Sequence, residues 1–228
     1  MKVQDLIDKQ LDVKRDRPFS GLYNPSLLGQ CKRRQYYSIT REEQSNPPDS
    51  RTLRVFHCGN IFHDFIQNII KEQGYDIEVE YKDKLNGVSL RADAVNSEEV
   101  VEIKSMHSRG FWYMKKSLET SHIYDIKPEH VKQGVMSAIY LERPLVRLIY
   151  VSKDDLCIAE FLIKVTDEMI KEVDEEKEIV LWHVEHKELP KAEPKLYVDK
   201  RTGKPKECTY CSYKDKCRGI EKEAKNEL

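Results

Sequence analysis

Four cysteines near the two ends of the chain are the residues whose spacing says most about chemistry. One lies near the N-terminus and three follow near the C-terminus as C-x2-C-x5-C: Cys31, Cys208, Cys211 and Cys217. Thiolates that meet from both ends can bind one iron–sulfur cluster or one zinc ion. The spacing matches no common local zinc finger, which weakens the zinc interpretation. Either centre would fasten the N-terminal segment to the C-terminal one.

Two carboxylates and a lysine on neighbouring strand-like segments form a second candidate site. Asp93 lies in LRADAV, and Glu102 and Lys104 lie in VEIKS. Phosphodiester hydrolysis needs a nucleophilic water and positive charge on the transition state, and a divalent cation supplies both. Because Mg²⁺ prefers oxygen ligands, Asp93, Glu102 and the backbone carbonyl of Ile103 are the predicted ligands. Alternation puts Lys104 on the strand face of Glu102, although Glu-x-Lys is also an ordinary solvent-facing pair.

The first elements that must position these residues are a helix and three strands. Residues 53–73 have an apolar period near 3.6, which predicts a helix with His63 pointing inward. From Tyr75 the period changes to two, and Asn86-Gly87 is a hairpin signal. Residues 75–105 are therefore predicted to form a three-stranded antiparallel meander. The apolar stripe of the helix comprises Val55, Phe62, Phe65, Ile66, Ile69 and Ile70.

The second half of the chain predicts a helix, two strands and a helix. Residues 129–142 have helical periodicity, LVRLIYVS and CIAEFLI have strand character, and residues 166–186 form a long amphipathic segment. A crossing helix between strands permits a parallel pairing. The expected fold class is therefore α/β, with a mixed central sheet flanked by helices.

Composition limits the classes of protein that fit. The 228 residues are expected to form one domain, 1–228, with 39% apolar residues for a core. No apolar run is long enough for a membrane span, and the N-terminus has no signal-peptide core, so we expect an intracellular (cytoplasmic) protein without a membrane partner. The net charge of −1 means that nucleic acid would have to bind a local basic groove.

The order of these candidate residues resembles the PD-(D/E)XK nuclease superfamily, and within it the RecB-like nucleases. The matching positions are Gly59, His63, Asp93, Glu102, Lys104, Gln133 and Tyr140. The resemblance covers roughly residues 20–220 and implies a restriction-endonuclease-like fold. It implies that His63 and the two acids bind metal, that Lys104 is catalytic, and that Gln133 and Tyr140 complete the site. Ala92, and not proline, precedes the first acid, at a position that varies among RecB-like members.

The cysteine pattern resembles the iron–sulfur subset of RecB-like nucleases. That subset includes AddB-type recombination nucleases and the CRISPR-associated adaptation exonucleases called Cas-four. The resemblance implies a [4Fe–4S] cluster, Mg²⁺ or Mn²⁺ at the acidic site, and a structural cluster region formed by about 20–40 together with 195–220. The two remaining cysteines, Cys58 and Cys157, are predicted to be small core residues.

What this resemblance implies about function is a metal-dependent DNA exonuclease that prefers single strands and degrades them 5′-to-3′. Its implied role is CRISPR spacer acquisition, or viral or recombination DNA processing. Single-stranded DNA and CRISPR adaptation proteins are the implied partners. Two alternatives stay open: a catalytically weak DNA- or partner-binding module of the same fold, and a zinc-stapled protein of unrelated function.

Basic and aromatic residues near both candidate sites predict a path for nucleic acid. Exposed aromatic rings beside cations suit unstacked single strands, because every base has a π-face. The alternative is that Phe111, Trp112 and Tyr113 belong to the core and that the lysines are ordinary surface residues. The candidate DNA contacts are Arg33, Arg34, Arg109, Trp112, Lys115, Lys116 and Lys153.

Overall fold

The computed structural model of the protein describes residues 2–13, 21–193, 208 and 210–219. Much of the C-terminal part of the predicted cluster region, 195–207, 209 and 220, lies outside the described residues. The chain divides into two compact units. The sheet unit comprises Leu22–Gly29 and Arg54–Lys177, and the cysteine unit comprises Met1–Gly21, Gln30–Leu53 and Glu178–Leu228.

The helices and strands follow the expected order along the described chain. None of the helices in this part of the chain is long and apolar enough to cross a bilayer. The helices are α1 (Val3–Val13), α2 (Lys32–Ile39), α3 (Ser50–Lys71), α4 (Ser108–Ser117), α5 (Ile123–Ile126), α6 (Pro128–Tyr140) and α7 (Asp167–Glu185), and a short 3-10 helix spans Pro25–Leu27. The strands are β1 (Asp76–Asp83), β2 (Val88–Val95), β3 (Glu99–Met106), β4 (Leu145–Ser152) and β5 (Ile158–Lys164).

The strands form one mixed five-stranded sheet in the order β1-β2-β3-β4-β5. The first three pair antiparallel, which confirms the predicted meander. β3 and β4 are parallel, and β5 returns antiparallel to β4. A parallel pair needs a crossover connection, and here it contains α4, α5 and α6. The expected α/β class with a mixed sheet is confirmed.

Helices α3 and α6 pack against different side-chain sets of the sheet. Ile66 of α3 packs with Ala94, Val101 and Ile103, which point to one face. Alternation turns Val100, Glu102 and Lys104 of β3 to the other face. α6 packs against β2, β3 and β4 on that face, where Gly134 meets Val146. The acid and the lysine of VEIKS therefore point toward α6.

The predicted apolar stripe of α3 is partly wrong. Phe62, Ile66 and Ile70 pack on the sheet as expected. Val55, Phe65 and Ile69 are instead exposed, at 46%, 59% and 52%. The helix is apolar over a wider arc than the sheet can cover, so only part of that arc is buried.

Three local features add to the pattern that the sequence predicts. Cys31 lies at the N-cap of α2, and Ser26 belongs to the 3-10 helix, which Asn24 caps. The β1–β2 connection is residues 84–87, longer than a two-residue turn, because Asp83 accepts hydrogen bonds from Asn86 and Gly87 has a φ of 65°. Residues 106–128, for which the sequence predicts no helix or strand, contain α4 and α5.

Candidate active site

The candidate site lies where β2 and β3 separate. Their ladder contains only the pairs Ala94–Val101 and Val95–Val100. One further step would place Asp93 opposite Glu102, but no pair forms there. The carboxylate of Asp93 takes the place of the missing ladder bond, because its Oδ2 accepts a 2.7 Å hydrogen bond from the backbone N–H of Ile103. An N–H of a strand points along the sheet, so this carboxylate lies between the two strands.

His63 of α3 reaches the other oxygen of Asp93. Its Nδ1 lies 3.3 Å from Oδ1 of Asp93. Burial alone would lower the pKa of His63, but the hydrogen bond and charge of Asp93 outweigh it and raise the pKa above its usual value. The helix histidine and the first acid are thus neighbours.

Glu102, Lys104 and Gln133 form a second group, on the α6 side. Lys104 Nζ lies 2.5 Å from Glu102 Oε1 and 2.9 Å from Gln133 Oε1. Gln133 Nε2 donates to the same Glu102 oxygen at 2.7 Å. Both bonds use Oε1 of Glu102, so neither engages its second oxygen. Gln133 therefore fixes the acid and the lysine relative to each other.

Burial controls the protonation of this group. Glu102 is only 2% exposed, and burial raises its pKa to about 7, with the charge of Lys104 opposing and that of Asp93 adding to the rise. Burial would lower the pKa of Lys104, but the carboxylate of Glu102 reverses this and raises it. The pair holds its proton tightly on the amine, and a buried carboxylate stands beside it.

The donor set suits a hard divalent cation. Two carboxylates, an imidazole and the Ile103 carbonyl are the oxygen and nitrogen ligands that Mg²⁺ or Mn²⁺ accept. As placed, Glu102 is turned to Lys104 and Gln133, while Asp93 is turned to His63 and Ile103. Among the described residues, no three His, Cys, Asp or Glu side chains are gathered as a ready metal-binding group.

Two residues that the sequence prediction missed border this site. Tyr150 of β4 pairs in register with Lys104, and its hydroxyl lies 2.8 Å from Nδ1 of His130. Burial, followed by the charges of Lys104 and Lys127, lowers the pKa of His130 well below its usual value. His130 precedes Gln133 by three positions, so the helical spacing itself could have pointed to it.

Among the described contacts of the sheet unit, Tyr140 makes none with Glu102, Lys104 or Gln133. Its hydroxyl accepts a 3.0 Å hydrogen bond from Lys177, and its ring packs 5.8 Å from that of Tyr81. Lys177 is 6% exposed and also pairs with Asp174 at 3.0 Å. Tyr140 therefore belongs to a separate polar cluster, seven residues along α6 from Gln133.

The side chain of Lys153 lies against α3, close to Gly59 of that helix. Lys153 Nζ donates to the carbonyl of Val55 at 3.2 Å. A Cβ on Gly59 would lie 3.4 Å from Ser105 Oγ and 4.0 Å from Lys153 Nζ. These are ordinary van der Waals distances, so α3 passes close to the ends of β3 and β4, and Lys153 lies at the same end of the sheet as Ser105.

The aromatic and basic residues of α4 divide between core and surface. Phe111 is fully buried, whereas Trp112 and Tyr113 are 50% and 60% exposed. Arg109 lies 5.7 Å from the ring centre of Tyr113, and Lys115 lies 5.4 Å from that of Trp112. The surface of α4 therefore presents two ring–cation pairs, with exposed Lys116 beside them.

The four cysteines of the predicted cluster all fall in the cysteine unit. Cys31 Sγ accepts a hydrogen bond from the N–H of Glu193 at 3.4 Å, and Cys217 Sγ accepts one from Arg33 at 3.4 Å. Arg33 also donates to the carbonyl of Pro190 at 2.8 Å, so it is engaged within its own unit. As placed, these thiols do not form a metal-binding group among the described residues.

The remaining cysteines, Cys58 and Cys157, are only partly buried. The prediction that they are core residues is therefore only partly correct.

Comparison with known proteins shows the fold. No family model matches this sequence, and no curated protein matches it. A solved structure described as SSO0001 is similar at a TM-score of 0.59 and 17% identity, over 95% of this chain and 96% of that one. LHK-Exo in complex with dAMP is similar at a TM-score of 0.54 and 17% identity, over 73% of this chain and 89% of that one.

LHK-Exo on its own, described as an alkaline exonuclease from Laribacter hongkongensis, is similar at a TM-score of 0.53 and 16% identity. This similarity covers 74% of this chain and 90% of that one. Together with the mixed sheet and its flanking helices, these likenesses show the expected PD-(D/E)XK-like fold.

Proposed function

We propose that this chain is a metal-dependent nuclease that hydrolyses DNA from strand ends and prefers single strands. The observation that carries the proposal is the grouping of Asp93, Glu102, Lys104 and Gln133 where β2 and β3 separate, with His63 against Asp93. The similarity in fold to an alkaline exonuclease supports the same class of reaction.

The metal ligands that we propose are His63, Asp93, Glu102 and the Ile103 carbonyl. A divalent cation, when bound, would lower the pKa of a water and offset charge on the scissile phosphate. Glu102 must be ionised to serve, and its pKa of about 7 allows this near neutral pH. His63 must present a neutral ring nitrogen, and Asp93 orients that ring through Oδ1.

Lys104 is the proposed catalytic cation of this chain. Its ammonium is held by Glu102 and Gln133, which aim it without using all of its three protons. A remaining proton can be donated to a phosphoryl oxygen, which would stabilise the charge that builds up during cleavage. Gln133 acts as a positioning residue for this amine.

The proposed nucleic-acid path runs over the exposed side of α4. Bases can stack on Trp112 and Tyr113, while Arg109, Lys115 and Lys116 can contact phosphates. Lys153 is the proposed phosphate contact near α3. The internal hydrogen bonds of Arg33 argue for a structural role, and Arg34 stays a candidate contact of the cysteine unit. Tyr140 supports α6 through Lys177.

The polarity that we propose is 5′-to-3′, and the role is CRISPR spacer acquisition or viral or recombination DNA processing. These two points rest on the sequence resemblance to RecB-like nucleases with an iron–sulfur cluster. CRISPR adaptation proteins are the corresponding proposed partners.

We also propose a [4Fe–4S] cluster on Cys31, Cys208, Cys211 and Cys217. Support comes from the cysteine spacing and from the presence of all four residues in the cysteine unit. Donors to Cys31 and Cys217, the N–H of Glu193 and the guanidinium of Arg33, are the kind that stabilise thiolates. The cluster would have a structural role, and no catalytic step depends on it.

The decisive experiment digests end-labelled DNA with the full chain. Single- and double-stranded substrates, each labelled at the 5′ or the 3′ end, are incubated with Mn²⁺ or Mg²⁺. We expect metal-dependent release of short products from the 5′ end of single strands. Lys104→Ala should abolish release, whereas Lys171→Ala, which removes an exposed lysine of α7, should not.

Two results would contradict the nuclease proposal. One is equal cleavage by the wild type and Lys104→Ala, and the other is no cleavage by any protein with either metal. Release from the 3′ end would overturn only the polarity. Cluster content is measured separately, by iron and sulfide analysis of anaerobically prepared protein. Stoichiometric zinc in a colourless protein would refute the cluster.

A further inference from the structure

Asp93 is skipped by the ladders on both sides of β2. Toward β3, the pairs stop at Ala94–Val101. Toward β1, the pairs Ile77–Ala94 and Val79–Ala92 flank Asp93, but no Glu78–Asp93 pair lies between them. Glu78 has a φ of 53°, a left-handed conformation that is rare for a residue with a side chain. Asp93 itself therefore has no ladder partner, although its neighbours Ala92 and Ala94 pair with β1.

Gln67 of α3 supplies the missing bond. Its Nε2 donates to the backbone carbonyl of Asp93 at 2.8 Å and to Oε1 of Glu78 at 2.8 Å. Gln67 is 2% exposed, so its amide has little access to water. A buried amide that lost both acceptors would be costly, which keeps this bridge in place.

The two ends of the bridge are themselves anchored. Oε2 of Glu78 pairs with Nε of Arg91 at 2.9 Å. Gln67 follows His63 by four residues, so both lie on one face of α3. One helix face thus holds Asp93 at two points, with His63 at the carboxylate and Gln67 at the carbonyl.

We infer that Gln67 is a positioning residue that sets the place of Asp93 for binding the divalent cation, an inference that rests on the proposed function. The carboxylate of Asp93 lies between separated strands, so its location depends on where its main chain is held. Gln67 holds that main chain from α3, the same helix that carries the histidine ligand. Glu78 orients the amide of Gln67 and does not touch the site.

The test compares Gln67→Met, which keeps length but loses the amide, with two controls. Gln35→Met removes another buried amide, whose Nε2 donates to the carbonyl of Gln30 at 2.7 Å in the cysteine unit. Glu78→Gln keeps an oxygen acceptor for Gln67. Mn²⁺ binding to the DNA-free protein is measured by calorimetry, and cleavage is measured against Mn²⁺ concentration.

We expect Gln67→Met to weaken Mn²⁺ binding by about 10-fold or more, the usual effect of losing a residue that supports a ligand. The cleavage rate should recover toward the wild-type value at excess Mn²⁺, because the ligands themselves remain. The amide N–H of Ile103 donates a hydrogen bond to Asp93, so its hydrogen exchange should accelerate relative to that of the Ile149 amide. Gln35→Met and Glu78→Gln should bind Mn²⁺ nearly as the wild type does.

Equal Mn²⁺ binding by Gln67→Met and the wild type would overturn the positioning role and leave the nuclease proposal intact. A wild type that binds no Mn²⁺ and cleaves no DNA would overturn both. Equal loss of binding in Gln67→Met and Gln35→Met would show a general stability effect and also overturn the role. If Gln67→Met does not fold, Gln67→Asn, whose amide is one methylene too short, takes its place with the same expected results.

Discussion

Glu102 is the residue on which the candidate site depends most closely. It is a carboxylate buried to 2% exposure whose Oε1 lies 2.5 Å from an ammonium. Taking one partner away from such a pair leaves an uncompensated charge in a medium that solvates it poorly. Any change at Lys104 therefore acts on folding as well as on chemistry, and the two effects must be measured separately.

A double-mutant cycle separates them. Lys104→Ala should lower the free energy of unfolding by about 3–5 kcal/mol, because Glu102 is left unpaired. In a Glu102→Gln background the same change should cost much less, since no buried charge remains. Urea unfolding of the wild type, both single variants and the double variant, without added metal, measures the coupling. Additive losses would show that the two groups are not energetically paired.

Gln133 offers a cleaner test of positioning at this scale. Gln133→Leu removes the donor to Glu102 and the acceptor for Lys104 while keeping the apolar part of the side chain. We expect cleavage to fall about 10–100-fold, because the ammonium loses the group that aims it. The kcat and the half-saturating Mn²⁺ concentration are measured together. An unchanged kcat would remove Gln133 from the site.

At the scale of elements, the packing of α6 on β4 decides whether Gln133 reaches Glu102. Gly134 is the close contact: a Cβ there would lie 2.4 Å from Cγ1 of Val146. Such an overlap cannot be relieved by a flexible side-chain end, because Val146 is itself fully buried. Gly134, next to Gln133, is therefore required because α6 lies too close to β4 to leave room for a side chain there.

Gly134→Ala should destabilise the protein by about 1–3 kcal/mol, the usual cost of overpacking. Val146→Ala in the same chain should recover part of the loss, because it removes the opposing methyl groups. Gly110→Ala is the matched control, since a Cβ there meets nothing within 4 Å. Thermal unfolding of the wild type and the three variants is the measurement. A stable Gly134→Ala would mean that α6 lies farther from the sheet.

The start of β3 carries an ion pair whose effect depends on pH. Glu99 is 4% exposed and accepts from Nε of Arg147 at 2.7 Å and from the hydroxyl of Tyr75 at 2.5 Å. Burial would raise the pKa of Glu99, but these hydrogen bonds and the charge of Arg147 outweigh it and lower the pKa. A carboxyl whose pKa is lower in the folded state stabilises that state at pH values above the pKa of the unfolded chain. This contribution disappears as pH falls through the pKa of the folded state.

Glu99→Gln should therefore destabilise the protein at pH 7, by about 1.5–3 kcal/mol for hydrogen bonds to charged groups. The difference in free energy of unfolding between the variant and the wild type should become smaller below about pH 4, because a glutamate in the unfolded chain becomes protonated there. Urea unfolding at several pH values measures it. A gap that stays constant down to acid pH would show that the carboxylate contributes no more than a neutral amide.

At the scale of the whole molecule, net charge limits how nucleic acid can bind. The chain has 39 basic and 40 acidic residues, for a net charge of −1. Binding of a polyanion must therefore depend on a local arrangement such as the exposed face of α4. Each neutralised phosphate of a single strand contributes about 0.7 to the slope of log K against log salt concentration.

Lys115→Gln together with Lys116→Gln should weaken single-strand binding and reduce that slope by about 1.4, the sum of two contacts at about 0.7 each. Fluorescence anisotropy of a labelled oligonucleotide at several salt concentrations measures it, in EDTA to prevent cleavage. Lys171→Gln, which changes an exposed lysine paired with Glu175, is the control and should leave the slope unchanged. An unaltered slope in the double variant would place the DNA path elsewhere.

The strands, the meander and the mixed sheet followed from the sequence because they depend on local periodicity. Alternation over 75–105 has few structural solutions, and the helical segment before β4 permits the parallel return. The apolar stripe of α3 was less predictable, since Phe65 and Ile69 satisfy helical periodicity and are nevertheless exposed. Periodicity shows which residues share a face, and it does not show how much of that face a neighbour covers.

Residue types and order along the chain were sufficient to nominate Asp93, Glu102, Lys104, Gln133 and His63. Only the tertiary structure decided which of them touch, because contacts across 29 or 31 residues depend on how α6 and α3 pack on the sheet. It alone showed that the hydroxyl of Tyr140 accepts a hydrogen bond from Lys177 and that Arg33 donates one to the carbonyl of Pro190. It alone revealed Gln67, because an interrupted ladder at Asp93 is a property of three strands and a helix together and has no local signature.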